Sequence, residues 1–445
     1  MIDWYIILFL FAGLIIFNLD KIANKQAFYE FIMVRNGLGI KQGTTLLWMS
    51  LFMQTFLFIP IFTIFHFGLF FSVLFFLLFF LLIYVFLVNL TKQMRSQNIY
   101  EPVVINFYRA KLTPAAFRLI MLIILIANMD GFILQLTLAD HVFSLNFSRS
   151  PLIFNVLFIA FCVMVAGLGG MPTIYRTGYT FLVIGGFIIL FVPLFFYLKD
   201  GIHQIYQSYT FFNFHWNRPK FIFILSFLMA SIGILATHSF LWQVVHSIRN
   251  NYRYSAIKLS IFCFSSIPLS VMLFIVYLLS KYHYRTFDML SKNIFNLPLQ
   301  SLNIMVVIVW LFSVANSVIF SIYSFTILIV SLFRNKDRTP KKLKNFYFFV
   351  ICGTFAVSFL QYFLKNHLNM LFASYFLLYT AISFPFWSLL FSKKKHTIWF
   401  PISIFSIWFI CLYIWLFENS LLAAATAGIS SITLAVISNL VQFRK

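Results

Sequence analysis

Apolar runs of 18 or more residues recur along the whole 445-residue chain, each enough to cross the roughly 30 Å hydrocarbon core of a bilayer as a helix. In lipid every backbone polar group needs an internal partner, which leaves only helices and closed barrels. A barrel strand alternates apolar and polar residues, and a run such as FFSVLFFLLFFLLIYVF does not alternate. With 62% hydrophobic residues, 9% charged residues and a mean hydropathy of +0.95, the chain lacks the charge that the surface of a soluble domain needs. The expected fold class is therefore an all-α, multi-pass integral membrane protein. The 63 phenylalanines are spread over nearly every run, as lipid-facing bulk would be, and do not mark an aromatic site. The first run, from Asp3 to about Leu19, lacks a basic leader and a small-residue cleavage site and is read as a retained helix. Cys162, Cys263, Cys352 and Cys411 all fall inside apolar runs, which points to neither a disulfide framework nor a metal site.

Thirteen spans are expected, at 3–19, 44–66, 68–90, 116–140, 151–169, 177–198, 220–245, 256–281, 301–333, 345–364, 368–392, 397–417 and 419–441. A net charge of +22 could suggest a nucleic-acid partner, but most of the 32 Lys and Arg fall in alternate loops. Those loops carry Lys21 to Lys41, Lys92 to Arg118, Arg176, Arg249 to Lys258, Arg334 to Lys344, Lys393 to Lys395, and Arg444 with Lys445. This is the pattern of the positive-inside rule, and it places the protein in the cytoplasmic membrane with its N-terminus outside and its C-terminus inside. The basic loops are expected to attract anionic lipid headgroups rather than nucleic acid.

Four local stretches, taken in order, carry a resemblance. After the first span comes FYEFIMVRNGLGIKQGTTLLWMSL, with an aromatic, a short basic turn and a glycine before the next apolar run. The fourth span contains ILQLTLAD with Gln135, and the joint between the fifth and sixth reads GGMPTIYRTGYTF. Near the eleventh, TAISFPFWSLLFSKKKH places Pro385 before a hydrophobic pair and basic residues. Together with one leading span, ten core spans and two trailing ones, this order resembles the solute:sodium symporter family, which has the leucine-transporter fold. The resemblance covers nearly the whole chain.

That resemblance implies two inverted five-helix repeats, at 44–198 and 220–392, with solute bound where the first helix of each repeat is broken. Residues 1–43 would form the leading helix and its loop, 199–219 an extracellular loop, and 393–445 the two trailing helices. Pro60 and Gly233 are the expected break positions, because a proline removes an amide donor and a glycine weakens a helix. The family's sodium site needs hard oxygen ligands, and here the pattern departs. Gly169, Gly170 and Thr177 keep their places, whereas Gly178 stands where the family has Asp and Phe181 where it has Gln. In the ninth span Ala315 and Asn316 stand at the hydroxyl pair, with Ser313 or Ser317 available in a shifted register.

An ionisable residue inside a span is costly and marks a functional site by default. Asp130, mid-span in LIANMDGFIL, is the best such residue, with either ion or proton coupling or pairing with a Lys, Arg or hydroxyl for helix packing as its role. Asp140, farther along, reads as solvated surface. Thr177, Ser313, Asn316 and Ser317 complete the candidate coupling set. Candidate solute-lining residues are Gln54, Thr55, Gln135, His238, Trp242 and Gln243, where positions 238, 242 and 246 share one helix face. The alternative roles are interfacial Trp and His at the headgroup level and Gln54 as an interhelical hydrogen bond. In the last span LLAAATAGISS offers small residues for helix packing, with a homodimer contact as one use. No phosphate-cradling loop, metal-ligand cluster or triad is present, so no enzyme activity, cofactor or bound metal is expected, and Na+ or H+ remain as coupling ions. Two functions stand: a secondary transporter of a small organic solute with a degenerate sodium site, or a transporter-derived subunit that senses, scaffolds or partners other membrane proteins.

Overall fold

The structure is a computed structural model that describes residues 2–23, 37–93, 102–146, 151–210, 218–284, 286–295, 297, 299–332, 353, 356, 367–392 and 395–443. Among these residues every element is helical, and strand-type pairing is limited to two single bridges, Leu38 with Ile248 and Leu112 with His396. Eight helices are long and apolar enough to span a membrane, and a bent pair adds a ninth. The expected span at 345–364 lies outside the described residues apart from positions 353 and 356.

In chain order the helices are α1 (Ile2–Ala23), α2 (Ile40–Leu51), α3 (Gln54–Gln93), α4 (Val103–Lys111), α5 (Pro114–Asn128) and α6 (Leu136–Asn146). They continue as α7 (Pro151–Cys162), α8 (Gly170–Asp200), α9 (Ile202–Thr210), α10 (Arg218–Thr237), α11 (Ser239–Ser247) and α12 (Arg253–Tyr282). The rest are α13 (Phe287–Asn293), α14 (Gln300–Leu332), α15 (Leu368–Phe391), α16 (Trp399–Phe417) and α17 (Ser420–Phe443). The expected runs 44–66 and 68–90 meet inside α3 at Gly68, whose φ of 79° makes the kink that a Cβ would oppose.

Both expected break positions are displaced. Pro60 lies inside α3, and the chain instead leaves helical geometry at Phe52 and Met53, between α2 and α3. Gly233 lies inside α10, and the break comes at His238, where α10 and α11 bend by 61°. The local signal at Pro60 was misleading because a proline inside a membrane helix is tolerated where its surroundings satisfy the freed backbone group. Gly233 has a different use. A Cβ there would lie 2.0 Å from the Tyr379 carbonyl oxygen, so the glycine lets α10 press against α15.

The leading and trailing helices dock on this core by polar contacts. In α1, Asn18 Nδ2 donates to Thr177 Oγ1 at 3.1 Å, and Arg176 pairs with Asp20 at 2.7 Å. Thr177 is thus engaged by the leading helix. In α17, Ala423, Ala424, Ala427 and Ser431 are fully buried. Ser226 Oγ donates to the Ala424 carbonyl at 3.3 Å, and the Ser431 and Ser383 hydroxyls meet at 3.3 Å. The small-residue face therefore packs within the chain, against α10 and α15.

At one end of the bundle two short joints close the structure. Leu38 N–H donates to Ser247 O at 2.8 Å and Arg249 N–H to Leu38 O at 3.1 Å, tying the start of α2 to the end of α11. Arg253 fastens the joint by donating to the carbonyls of Ile248 and His246, both at 2.8 Å. In the second joint His396 N–H donates to Lys111 O at 2.9 Å and Thr113 N–H to His396 O at 3.0 Å, while the Lys111 ammonium donates to Ser392 O. Burial, followed by the charge of Lys111, pushes the His396 imidazole down to about 4 and keeps it neutral at pH 7.

The close approach at Gly233 is testable against a glycine with open space around it. Gly233→Ala is expected to lower the thermal midpoint, by about 1–3 kcal/mol of stability for an overpacked contact. Gly186→Ala, whose Cβ would meet nothing within 4 Å on α8, should be neutral or slightly stabilising. Equal midpoints for the two variants would contradict the assigned packing.

Candidate functional site

The site begins with an irregularity in the span formed by α5 and α6. Between them Gly131–Gln135 form a π turn. In a regular α-helix residues five apart sit about 140° from one another, whereas the wider π turn brings them to one face. Here that pairing joins Asp130 and Gln135, whose Nε2 donates to Asp130 Oδ2 at 3.1 Å. The same Nε2 lies 2.6 Å from Thr55 Oγ1, in the first turn of α3 after the break. Gly131 allows the turn to sit tightly on α14. Its N–H donates to Ser321 Oγ at 3.0 Å, and a Cβ would fall 2.2 Å from the Ser317 carbonyl.

Asp130, Gln135 and Thr55 line a small cavity completed by α10 and α15. Ser231 enters from α10, and Tyr375 and Tyr379 enter from α15. Phe227, Phe372 and Phe376 supply the apolar wall. The free space holds about two water molecules. The Tyr379 hydroxyl donates to Ala127 O at 2.9 Å and also lies beside the carboxylate. Asp130 Oδ1 is buried and has no hydrogen-bond partner. No Lys, Arg or His lines the cavity, and of the packing partners expected for Asp130 only a hydroxyl, that of Tyr379, stands beside it. On one side the cavity is capped by rings: Phe62 packs on Phe227 at 5.6 Å, and Phe223 stacks on Phe376 at 5.6 Å.

The other residues singled out from the sequence have different surroundings. Gln54 is an interhelical bridge, with its amide N–H donating to Gln135 O at 2.8 Å and its oxygen accepting from Trp310 Nε1 at 3.3 Å. His238 caps α11 through Nδ1, which accepts the Leu241 N–H at 3.2 Å. Trp242 packs on Phe107 at 5.1 Å and stacks on Tyr108 at 6.0 Å. Gln243 Oε1 accepts the Val103 N–H at 3.3 Å at the start of α4. None of these four lines the cavity. Asp140, expected at the solvated surface, is buried. Tyr375 and Tyr379 escaped the sequence reading, although their spacing of four on a polar-dotted helix was a signal for one shared face.

The seam between the first break and α14 is where sodium ligands were sought. There the Phe52 carbonyl, freed by the break, accepts from Asn316 Nδ2 at 2.9 Å. Ser317 Oγ accepts the Gln54 N–H at 3.3 Å and donates to Ser313 O at 3.0 Å, and Ser313 Oγ donates to Trp310 O at 2.6 Å. Beside it the missing carboxylate leaves no polar gap. A Cβ on Gly178 would lie 2.4 Å from Met49 Sδ, and Phe181 stacks on Phe312 at 4.0 Å. Sodium needs oxygens that replace its hydration shell; at this seam the Phe52 carbonyl and Ser317 Oγ accept from protein donors, while Asn316 Oδ1 is buried without a partner.

A cavity walled by two interrupted helices, one widened helix and a tyrosine-bearing helix invites comparison with known structures. The chain is similar to a Na+-coupled sialic acid symporter in a substrate-bound outward-open state, with a TM-score of 0.71, 13% identity, and 98% of this chain and 97% of that chain covered. The fold is that of a membrane symporter. A nucleobase-cation-symport-1 family transporter, closed on bromovinylhydantoin, is similar at a TM-score of 0.51 and 11% identity, with 91% of this chain and 92% of that chain covered. No protein-family model and no curated protein sequence matches this symporter-fold chain.

The Asn316 contact gives a direct ion test. Exchanging sodium for potassium is expected to leave the thermal midpoint unchanged. A sodium-specific stabilisation of about 1.4 kcal/mol, the effect of a ligand at about ten times its Kd, would mean that the Asn316 amide turns its oxygen toward an ion at this seam.

Proposed function

We propose that this chain is a secondary active transporter that carries a small organic solute across the cytoplasmic membrane, with Asp130 as its proton-coupling group. The observation that carries the reading is the carboxylate itself. Asp130 sits about midway along the span Pro114–His141, in a cavity reached by both repeats, with one oxygen unpartnered and no protein cation facing it. At such a position a carboxylate is tolerable when water, a proton or a cationic ligand offsets its lost hydration. Protonation and release at Oδ1 then provide a switch that a transport cycle can use.

The two breaks supply the moving parts. Alternating access in this architecture rocks one set of helices against the other around a fixed site. The Leu38–Ile248 and Leu112–His396 joints would be the contacts that open on one face, and the Phe62, Phe227 and Phe376 rings those that part on the other. The order of the leading helix, the two repeats at 44–198 and 220–392 and the trailing pair supports placement in the solute:sodium symporter family, with the basic loops inside against anionic lipid. Thr55, Gln135 and Ser231 are the polar solute contacts in this reading. Asn316 and Ser317, held in protein hydrogen bonds, favour protons over sodium as the coupling ion. The non-transporting scaffold draws on the lost carboxylate at Gly178, and the carboxylate of Asp130 kept at the central cavity weighs against it.

Asp130→Asn keeps the shape and the Gln135 contact and removes the titratable proton. Proteoliposomes with an imposed proton gradient, screened with amines, amino acids and sugars, should accumulate solute with the parent protein and fail to do so with Asp130→Asn. Solute exchange at equal pH should persist, and the thermal midpoint should hold, because no paired charge is stranded. A loss of stability on the order of 3 kcal/mol would instead reveal a buried ion pair and would overturn the coupling role.

A further inference from the structure

The chemistry of the cavity wall points to a class of solute. We propose that the cavity recognises a small organic ammonium ion, held by Asp130 Oδ1 and the aromatic faces of α10 and α15; this deepens the transporter reading and rests on it. The carboxylate contributes the only formal charge among the lining residues, since Thr55, Gln135, Ser231, Tyr375 and Tyr379 are neutral and the remainder are apolar. Gln135 holds the carboxylate through Oδ2, the Tyr379 hydroxyl stands beside it with its proton on Ala127 O, and Oδ1 is left without a donor. An anionic solute would meet a like charge there. A neutral polyol would find few acceptors and donors among the phenylalanines.

An alkylammonium satisfies both halves of the wall. Its N–H groups supply the donor and the counter-charge that Oδ1 lacks, in the short, charge-assisted geometry that strengthens such bonds. Its carbon substituents meet the aromatic wall of the cavity, where Phe227 packs on Phe376 at 5.0 Å, Phe372 stacks on Phe376 at 5.9 Å, and Tyr375 and Tyr379 follow one another on α15. Ring faces attract a cation through their quadrupole, the more so when water is excluded. The limited free space favours a small ammonium group with a short apolar tail over a large zwitterion.

A consequence is competition. A proton and an ammonium ion both neutralise the same oxygen, so binding one disfavours the other, and the cycle becomes an exchange of proton for organic cation. The titratable groups near the site are few. Tyr375 and Tyr379 face Asp130 from α15, and the only other candidate is His238 at the α10–α11 break, whose Nδ1 is engaged by Leu241 N–H and whose ring packs on Phe240 and Phe320.

The test uses the purified full-length protein in nanodiscs at pH 8, with thermal midpoint and tryptophan fluorescence as readouts. The probes are ethylammonium and tetramethylammonium chloride, with ethanol as the neutral control and sodium acetate as the anionic one. At least one ammonium salt should bind saturably, and lowering the pH should weaken that binding in the unmodified protein. Asp130→Asn should weaken it about tenfold or more, the scale of one charge-assisted contact. Tyr375→Leu, which leaves the carboxylate in place, should weaken tetramethylammonium more than ethanol. Equal response to ethanol or acetate, or no saturable response to either ammonium salt, would overturn the solute class. Failure of the transporter reading is distinguishable: saturable ammonium binding without any gradient-driven flux would leave the site and remove transport, whereas proton-driven accumulation of a neutral or acidic solute would leave transport and remove this class.

Discussion

The central site depends on the one extra residue that the π turn at Gly131–Gln135 inserts into its span. With regular helical geometry Asp130 and Gln135 would point to different sides, and the carboxylate would face either lipid or packed side chains. With the turn widened, Gln135 holds the carboxylate from one side and links it to Thr55 beyond the α2–α3 break. The turn is itself fixed by α14, through Ser321 Oγ on the Gly131 amide and the absence of a Cβ against Ser317 O. A local distortion thus adds further polar links among three helices that the Asn316 and Gln54 hydrogen bonds also join.

The same logic explains how the breaks persist without a proline or a glycine at the breaking residue. A carbonyl released from helix hydrogen bonding in a membrane needs another donor. Asn316 supplies it for Phe52 and Asn128 for Thr237 at the second break, where Asn128 Oδ1 and His238 Nδ1 receive the Ser239 and Leu241 amides. Neutral side chains of this protein thus join α14 to the first break, through Asn316 Nδ2 on the Phe52 carbonyl and Ser317 Oγ on the Gln54 amide.

These particulars decide what could be read from the sequence. The multi-pass helical class was legible because the spans are long apolar runs, and that signal is local, although eight or nine of the thirteen expected spans are seen among the described residues. Asp130, Thr55 and Gln135 were also legible, as polar residues stranded in such runs. The breaks were not, since Pro60 and Gly233 are the residues that local propensity singles out, whereas Phe52 and His238 yield because of partners far away in sequence. Thr177 belonged to the joint that resembles the family motif, yet its hydroxyl meets Asn18 of α1. Tyr375 and Tyr379 were hidden by the abundance of aromatic residues around them. Their role follows only from the packing of α15 on α10, which Gly233 permits.

The account stands on the idea that the Leu38–Ile248 joint is a contact that opens rather than a permanent clasp. Spin labels at Lys41 and Asn251, both exposed beside that joint, would report it by pulsed dipolar spectroscopy in nanodiscs. The account predicts two distance populations, with the longer one changing in weight as the pH is varied and the dependence lost in Asp130→Asn. A single narrow distance, unchanged by pH in the parent protein, would contradict it.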